Sequence, residues 1–217
     1  EKIIRLPNCY QCNSHSEIKL HKKITRKDFN LPKDGFLFAC FNSSKKITSS
    51  EFDIWMRLLK KVDKSIIWLY KSNDFVLENL KKEAEKRGIN PDRLIFAERL
   101  PLEQHLARYK ICDLFLDTFN YNGHTTTSDA LWAGLPVLTK KGDSFSSRVS
   151  TSILKCLGLN ELITYNKKTY EEKALYLTQN RKELSNIRRK LKQSIKNGPF
   201  FNSSLFTTNL EKIFIDL

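Results

Sequence analysis

The chain has 217 residues, 40% of them hydrophobic, which is enough for one ordinary domain, or one and a half, around a real core. Its longest apolar stretch, residues 65–70, is far shorter than the roughly 20 residues of a membrane-spanning helix, and no secretory signal pattern opens the sequence, so we expect a cytoplasmic protein without a membrane segment. The 38 Lys and Arg against 24 Asp and Glu give a net charge of +14, which attracts phosphates and polyanions without choosing among them.

Residues 1–34 are predicted to form a linker or strap, because they are polar and irregular and contain Pro7 and Pro32. From Gly35 to residue 165, apolar runs of strand length alternate with helical repeats. This strict alternation predicts an α/β fold with a Rossmann-like, doubly wound parallel sheet over residues 35–165. The predicted strands are residues 36–41, 66–70, 94–97, 114–117, 137–139 and 162–164, and the predicted helices include residues 52–59, 76–84, 101–110, 125–133 and 145–157.

Residues 166–217 are predicted to be a helical C-terminal tail, because apolar residues recur there at spacings of three and four. Much of the positive charge lies in residues 166–197. The helical repeat in this run favours a solvated helix face. Binding of RNA or DNA stays an alternative, although no recognisable nucleic-acid motif supports it.

Two polar loops, residues 42–46 and 120–126, follow the first and fourth predicted strands. In a parallel sheet with the common strand order 3-2-1-4-5, the order reverses between these two strands, and ligands bind beyond their carboxyl ends. We therefore expect the two loops to face each other across a crevice.

The second loop leads directly into the predicted helix at Thr125, and the run His124-Thr125-Thr126 is a candidate phosphate site. A helix N-terminus has unpaired backbone N–H groups and partial positive charge, and threonine hydroxyls add donors. Gly123 would let the backbone approach a ligand closely, and Lys46 on the facing loop could neutralise a diphosphate. The helix is expected to be capped by its threonines, and taken alone these residues are better explained by helix caps, a turn and an exposed lysine. Their place at the switch point favours the ligand instead.

Three other side chains on the same rim are candidates for nucleotide contacts. His105 and Arg108, three apart on one helix face, could contact a base or phosphate; a surface pair without a role is the alternative. Asp129, one turn into the helix at Thr125, could accept a ribose hydroxyl, or could only stabilise the helix N-terminus.

The sequence lacks both the GxGxxG and the GxxxxGK[ST] motif, so a phosphate site must be built differently. It also lacks the Asp-x-Asp motif that holds a metal in many nucleotide-sugar enzymes, so we expect no metal and a diphosphate neutralised by Lys46, the helix dipole and side-chain donors. Cys9-x-x-Cys12, with His15 and His21 nearby, makes zinc a weak alternative, and the five scattered cysteines predict no disulfide framework.

Several short motifs lie in register along the chain: Phe41-Asn42 with Lys46-Ile47, Pro101 through His105 with Arg108, Leu116-Asp117-Thr118, Asn122 through Thr126 with Asp129, Leu131 through Gly134, and Ser147-Arg148-Val149. Together they resemble the O-GlcNAc transferase and SPINDLY family, which is glycosyltransferase family 41 with a GT-B fold. The resemblance extends from Arg5-Leu6-Pro7 almost to the last predicted helix, and residues 116–134 are its most specific part.

The resemblance implies that the chain is the C-terminal, donor-binding half of a GT-B transferase, with residues 1–34 leading from an N-terminal half and tetratricopeptide repeats that lie outside it. The implied reaction transfers N-acetylglucosamine from UDP-N-acetylglucosamine to Ser or Thr of an acceptor protein, with no cofactor and with neither membrane nor nucleic acid as an expected partner. Related transferases that use UDP-glucose or GDP-fucose, and a non-catalytic nucleotide-binding or nucleic-acid-binding module, stay alternatives. The isolated chain is expected to bind nucleotide weakly and to have little or no activity.

The resemblance also implies roles for single residues. Lys46 would contact the diphosphate and stabilise it as the leaving group, and the general base would lie outside this chain. Ser43 and Leu102 stand where the animal enzymes carry a diphosphate-adjacent glutamine and a ribose-contacting lysine. His124 favours UDP over GDP, because SPINDLY-like fucosyltransferases carry threonine there. The remaining implied nucleotide contacts are Leu100, His105 and Arg108 around the uracil, His124, Thr125 and Thr126 at the diphosphate, and Asp129 at the ribose.

Overall fold

A six-stranded parallel sheet forms the centre of the computed structural model, which describes residues 3–13 and 24–216. Its strands coincide closely with the apolar runs that predicted them. They are β1 (Leu37–Cys40), β2 (Ile66–Tyr70), β3 (Leu94–Ala97), β4 (Leu114–Leu116), β5 (Val137–Lys140) and β6 (Ile163–Thr164).

Eight α-helices follow or flank these strands within the described residues. Local sequence explains several of their ends. Thr48 and Glu51 form a capping box at the start of the first helix, and Gly88, at φ +72°, follows the end of the second. The helices are α1 (Ser49–Lys61), α2 (Asp74–Lys86), α3 (Leu102–Tyr109), α4 (Thr125–Trp132), α5 (Val149–Cys156), α6 (Lys167–Gln179), α7 (Arg181–Asn197) and α8 (Ser203–Ile215).

The strand order is β3-β2-β1-β4-β5-β6, and each neighbouring pair is parallel. The register places Leu37 opposite Ile66 and Phe38 opposite Leu114. The predicted doubly wound α/β fold and the 3-2-1-4-5 order are therefore confirmed. The order reverses between β1 and β4, so the crevice expected from the sequence lies beyond the carboxyl ends of these two strands.

The core lies on both faces of the sheet. All four residues of β1 are fully buried, which explains why this strand is a continuous apolar run rather than an alternating one. Trp55 of α1 and Trp68 of β2 are at most 1% exposed and are among the largest side chains in the core. Tyr170 of α6 and Leu184 of α7 belong to the same hydrophobic cluster, so the helical tail packs onto the sheet domain.

Asp113, just before β4, accepts hydrogen bonds from three segments that are distant in sequence, near the amino ends of the strands. Its carboxylate accepts hydrogen bonds from Arg26 at 3.0 Å, the backbone N–H of Leu37 at 2.8 Å and Arg181 at 2.8 Å. Arg188 donates to the neighbouring carbonyl of Cys112 at 2.6 Å. Part of the basic run predicted to be solvated is thus engaged by the protein itself.

The helix expected over residues 145–157 begins later, at Val149. Ser144 and Ser147 hydrogen-bond to each other, which holds residues 144–147 in a turn. Within the part of the chain that the structure describes, no helix has the length and apolar character needed to cross a membrane.

Candidate functional site

A polar crevice lies between the loops that leave β1 and β4. The first loop contains a 3-10 turn, Ser44–Lys46, and the second ends where α4 begins. Lys46 reaches across the crevice, and its Nζ donates to the carbonyl oxygen of Asn122 at 2.9 Å. The two loops therefore face each other, as the sheet order predicts.

The ammonium group of Lys46 is half-buried and lies 4.0 Å from the centroid of the Tyr121 ring, a cation–π distance. Burial lowers the pKa of Lys46, and the negative charge of Asp117 opposes this effect. A partly desolvated cation of this kind gains when an anion enters beside it, because the anion replaces the lost hydration.

The first turn of α4 forms the other side of the crevice. His124 is the residue before the helix, and its side chain makes no capping hydrogen bond. Thr125 is exposed, whereas the hydroxyl of Thr126 donates to the side-chain oxygen of Asn42. The expectation that threonines cap this helix is therefore wrong: they occupy its first two helical positions, and one of them bonds the facing loop.

Three aromatic rings surround the His124 imidazole. Tyr121 stacks on it with centroids 4.9 Å apart, and Phe145 and Tyr10 approach edge-on at 6.2 and 6.3 Å. The hydroxyl of Tyr10 lies 3.2 Å from Nδ1 of His124. Burial lowers the pKa of His124, and the charge of Lys46 lowers it further, which favours the neutral form of the ring.

An open pocket at the carboxyl end of β3 is lined by Arg99, Leu100, Pro101, Leu102 and His105. The His105 ring packs against Phe41 at a centroid distance of 5.8 Å. Burial and the adjacent Arg108 charge lower the pKa of His105 to about 4. A neutral imidazole beside apolar side chains is suited to the face of a nucleobase.

Arg108 lies behind His105 rather than in this pocket. Its side chain is 1% exposed, its guanidinium lies 4.4 Å from the Phe41 ring centroid, and it donates to the carbonyl of Glu98 at 2.7 Å and contacts Nδ1 of His105. A direct contact between Arg108 and a base would need this side chain to rearrange. In the observed arrangement it holds His105.

Asp129 and Ser43 occupy different depths of the site. Asp129 is 5% exposed. Burial raises the pKa of Tyr109 on α3, and the negative charge of Asp129 raises it further. Ser43 is exposed on the loop after β1. Both lie on the elements that border the crevice, Asp129 one turn into α4 and Ser43 just before the 3-10 turn that carries Lys46.

Residues 10–210 match the sequence profile of glycosyl transferase family 41. The chain belongs to this family. A solved structure of an O-GlcNAc transferase variant from Thermobaculum terrenum superposes on 99% of the chain with a TM-score of 0.86 and 28% sequence identity, and the match covers 40% of that structure's chain. The family resemblance and the fold of a GT-B half are both confirmed.

Two other proteins similar to this family 41 chain are much longer. A protein of Arabidopsis thaliana, named as a probable UDP-N-acetylglucosamine–peptide N-acetylglucosaminyltransferase SEC, is 32% identical over 100% of this chain and 23% of its own length. The UDP-N-acetylglucosamine–peptide N-acetylglucosaminyltransferase of Caenorhabditis elegans is 34% identical over 87% of this chain and 16% of its own length. The chain thus spans less than a quarter of either relative.

The cysteines of this family 41 chain are all free thiols. Cys9 is buried, and the hydroxyl of Ser152 lies 3.8 Å from its sulfur. Among residues 3–13 and 24–216, no group of three His, Cys, Asp or Glu side chains is placed to hold a metal ion. His15 and His21, named with Cys9 and Cys12 as a weak zinc alternative, lie outside the described residues.

No role was expected from the sequence for four further residues of the site: Asn42, Asp117, Tyr121 and Tyr10. A signal exists for Asn42 and Asp117, because each is a polar residue within two positions of the end of a buried strand at the switch point. Tyr121 lies within the loop already selected. Tyr10 has no such signal, since 114 positions separate it from His124.

Proposed function

We propose that this chain is the donor-binding half of a protein O-glycosyltransferase that uses UDP-N-acetylglucosamine. The observation that carries the proposal is the contact between Lys46 and the Asn122 carbonyl, which brings a cation to the N-terminus of α4. A diphosphate needs a positive charge and several donors converging on it, and this crevice supplies both. The sugar is proposed from the two named N-acetylglucosaminyltransferases to which the chain is similar.

The nucleotide would lie along the rim of the sheet. Backbone N–H groups at the start of α4 and the exposed Thr125 hydroxyl would donate to phosphate oxygens beside Lys46. Leu100 and His105 would border the uracil, with Arg108 holding His105 in place. The proposed site is completed by Ser43, His124 and Thr126 around the diphosphate and Asp129 towards the ribose.

In the proposed reaction, the bond between the sugar's anomeric carbon and the diphosphate breaks as a serine or threonine hydroxyl forms the new bond. Negative charge develops on the departing UDP. Lys46 and the α4 N-terminus bind that charge more strongly than the neutral ester oxygen it comes from, and this lowers the barrier. With these groups neutralising the diphosphate, the step needs no metal. Acceptor recognition and the general base would come from parts of the enzyme outside this chain.

Titration calorimetry with UDP and GDP tests the proposal. We expect UDP to bind more tightly than GDP. The Lys46→Ala variant should lose about 1.5–3 kcal/mol of binding free energy, the contribution of a hydrogen bond to a charged group. Lys45→Ala, which removes the exposed neighbouring charge, is the matched control and should change little. Tighter GDP binding would indicate a GDP-sugar donor, and binding of neither nucleotide would contradict the site in the isolated chain.

A non-catalytic polyanion-binding module is the second candidate, favoured by the net charge of +14. It predicts binding to random RNA that falls steeply with salt and is unchanged in Lys46→Ala and His124→Ala.

We also propose a cytoplasmic location, since the free thiols fit a reducing compartment.

A further inference from the structure

A buried carboxylate, Asp117, follows β4 at the bottom of the crevice. It is 0% exposed. Its Oδ1 accepts hydrogen bonds from the backbone N–H of Gly123 at 2.7 Å, the backbone N–H of Thr118 at 3.0 Å and the side-chain amide of Asn42 at 3.0 Å. Its Oδ2 accepts from the hydroxyl of Thr139 on β5 at 2.7 Å. One oxygen therefore binds the crevice loops, and the other binds the sheet.

Asn42 extends this arrangement to the facing loop. It is 1% exposed, and its amide also donates to the Thr118 hydroxyl at 2.8 Å. With both N–H groups so engaged, its carbonyl oxygen is oriented to accept the hydroxyl proton of Thr126. Asp117 thus fixes the loop after β1 to the first turn of α4 through a single side chain.

The peptide of Gly123 is held on both sides. Its N–H donates to Asp117, and its carbonyl accepts from the Ser150 hydroxyl at 3.0 Å. A Cβ at this position would lie 2.5 Å from the Thr127 hydroxyl and 2.7 Å from the Thr126 hydroxyl. The space between Gly123 and the first turn of α4 is therefore too small for a side chain.

We propose that Asp117, acting through Asn42 and the Gly123 amide, is a positioning residue that sets the distance between Lys46 and the N-terminus of α4, and so the geometry offered to a diphosphate. This inference rests on the proposed function. It also assigns a role to Thr126: its hydroxyl proton is engaged by Asn42, so the helix start offers phosphate its backbone N–H groups and the hydroxyl of Thr125. A binding site gains affinity when such donors are already oriented, because little ordering is left to complete on binding.

A buried carboxylate with a full set of hydrogen bonds could instead only stabilise the fold, and matched variants separate the two roles. Asn42→Ala removes the hydrogen bonds that join the loop after β1 to Asp117 and to Thr126. Thr139→Val removes a bond to the same carboxylate on the sheet side and leaves the loops untouched. Asp117→Ala removes every bond. Asp117→Asn keeps an oxygen for Gly123, Thr118 and Asn42 and turns its NH2 group towards the Thr139 hydroxyl, which can accept.

The experiment measures UDP affinity by calorimetry, the thermal unfolding midpoint and the exchange rate of the Gly123 amide hydrogen in each variant. We expect all four substitutions to lower the midpoint. We expect Asn42→Ala and Asp117→Ala to weaken UDP binding about tenfold or more, a difference of about 1.4 kcal/mol, and Thr139→Val to change it less than about twofold. Asp117→Asn should recover most of the affinity lost in Asp117→Ala.

An affinity loss in Thr139→Val equal to that in Asn42→Ala would overturn the positioning role, because the loss would then follow stability alone. If Asp117→Ala does not fold, Asn42→Ala and Thr139→Val still decide. If the unsubstituted chain binds no UDP, the proposed function fails. The exchange rate of the Gly123 amide hydrogen then tests the positioning role without a ligand. Faster Gly123 exchange in Asp117→Ala and Asn42→Ala than in Thr139→Val supports it, and equal rates overturn it.

Discussion

His105 is the site residue whose protonation is altered most clearly. Its ring packs against Phe41 and contacts the fully buried guanidinium of Arg108, and burial with this neighbouring charge lowers its pKa from 6.5 to about 4. The imidazole is therefore neutral throughout the physiological pH range. A neutral ring offers an apolar face, which suits the proposed contact with a base, and the charge of Arg108 lies behind it.

This shift predicts how stability depends on pH. Between pH 6.5 and about 4, the unfolded chain binds a proton at His105 that the folded chain does not. The free energy of unfolding should therefore fall as the pH drops through this window, by up to about 1.4 kcal/mol per pH unit from this group. Urea unfolding at pH 7 and pH 5 should show a smaller loss in His105→Gln than in the unsubstituted chain. Equal losses in both proteins would show that His105 titrates normally.

That Lys46 and the start of α4 face each other could be predicted from the sequence, because their position in an α/β sheet decides it. The burial of Arg108 could not be predicted. A spacing of three residues places two side chains on one helix face, but it does not say which of them the neighbouring Phe41 and Glu98 cover. The partner of Thr126 was equally hidden, since Asn42 lies 84 positions away.

At the scale of elements, the start of α4 depends on how tightly the loop before it packs. Gly123→Ala places a Cβ within 2.9 Å of the Asn42 side chain and closer still to Thr126 and Thr127. We expect this variant to displace the loop, lower the unfolding midpoint and weaken UDP binding. Gly158→Ala is the matched control, because that glycine has φ +69° with nothing within 4 Å of the added Cβ.

Gly158→Ala should lower the midpoint through backbone strain alone, by roughly 1 kcal/mol of stability, and leave UDP affinity unchanged. Calorimetry and thermal unfolding on the two variants measure both effects. Equal UDP affinity in Gly123→Ala and Gly158→Ala would mean that the loop before α4 does not shape the site.

The order and type of the strands could be predicted because each is an apolar run bounded by polar loops, and β1 is buried along its whole length. The ends of helices were less accessible. α5 begins at Val149 because side-chain hydrogen bonds between Ser144 and Ser147 favour a turn, and such local competition leaves little trace in hydrophobic periodicity. The expected threonine caps are absent because His124 is the N-cap of α4, so that Thr125 and Thr126 lie within the helix.

At the scale of the whole molecule, several charged side chains of the helical tail form salt bridges with the rest of the protein. Arg181 pairs with Asp113 at 2.8 Å, Lys190 with Glu161 at 2.9 Å, and Arg57 of α1 with Glu171 of α6 at 2.7 Å. These contacts fix α6 and α7 against the sheet domain. The remaining excess still gives the chain a positive field that draws anions towards it at low salt.

The chain spans 40% of the solved O-GlcNAc transferase chain that it matches, and the general base and acceptor recognition are proposed to lie outside it. We therefore expect the purified chain to transfer no measurable sugar from UDP-N-acetylglucosamine to an acceptor peptide, even where it binds UDP. A radiolabelled-donor assay with a longer chain as positive control measures this. Sustained turnover by the 217-residue chain would show that the catalytic groups are already present in it.

The crevice between the loops of β1 and β4 is proposed to bind a nucleoside diphosphate, and a crystal structure of the chain with UDP would test this site. We expect the diphosphate at the N-terminus of α4, with Lys46 Nζ and the backbone N–H groups of Thr125 and Thr126 within hydrogen-bond distance. We expect the uracil beside Leu100 and His105. A UDP molecule bound elsewhere, with Lys46 still on the Asn122 carbonyl, would contradict it.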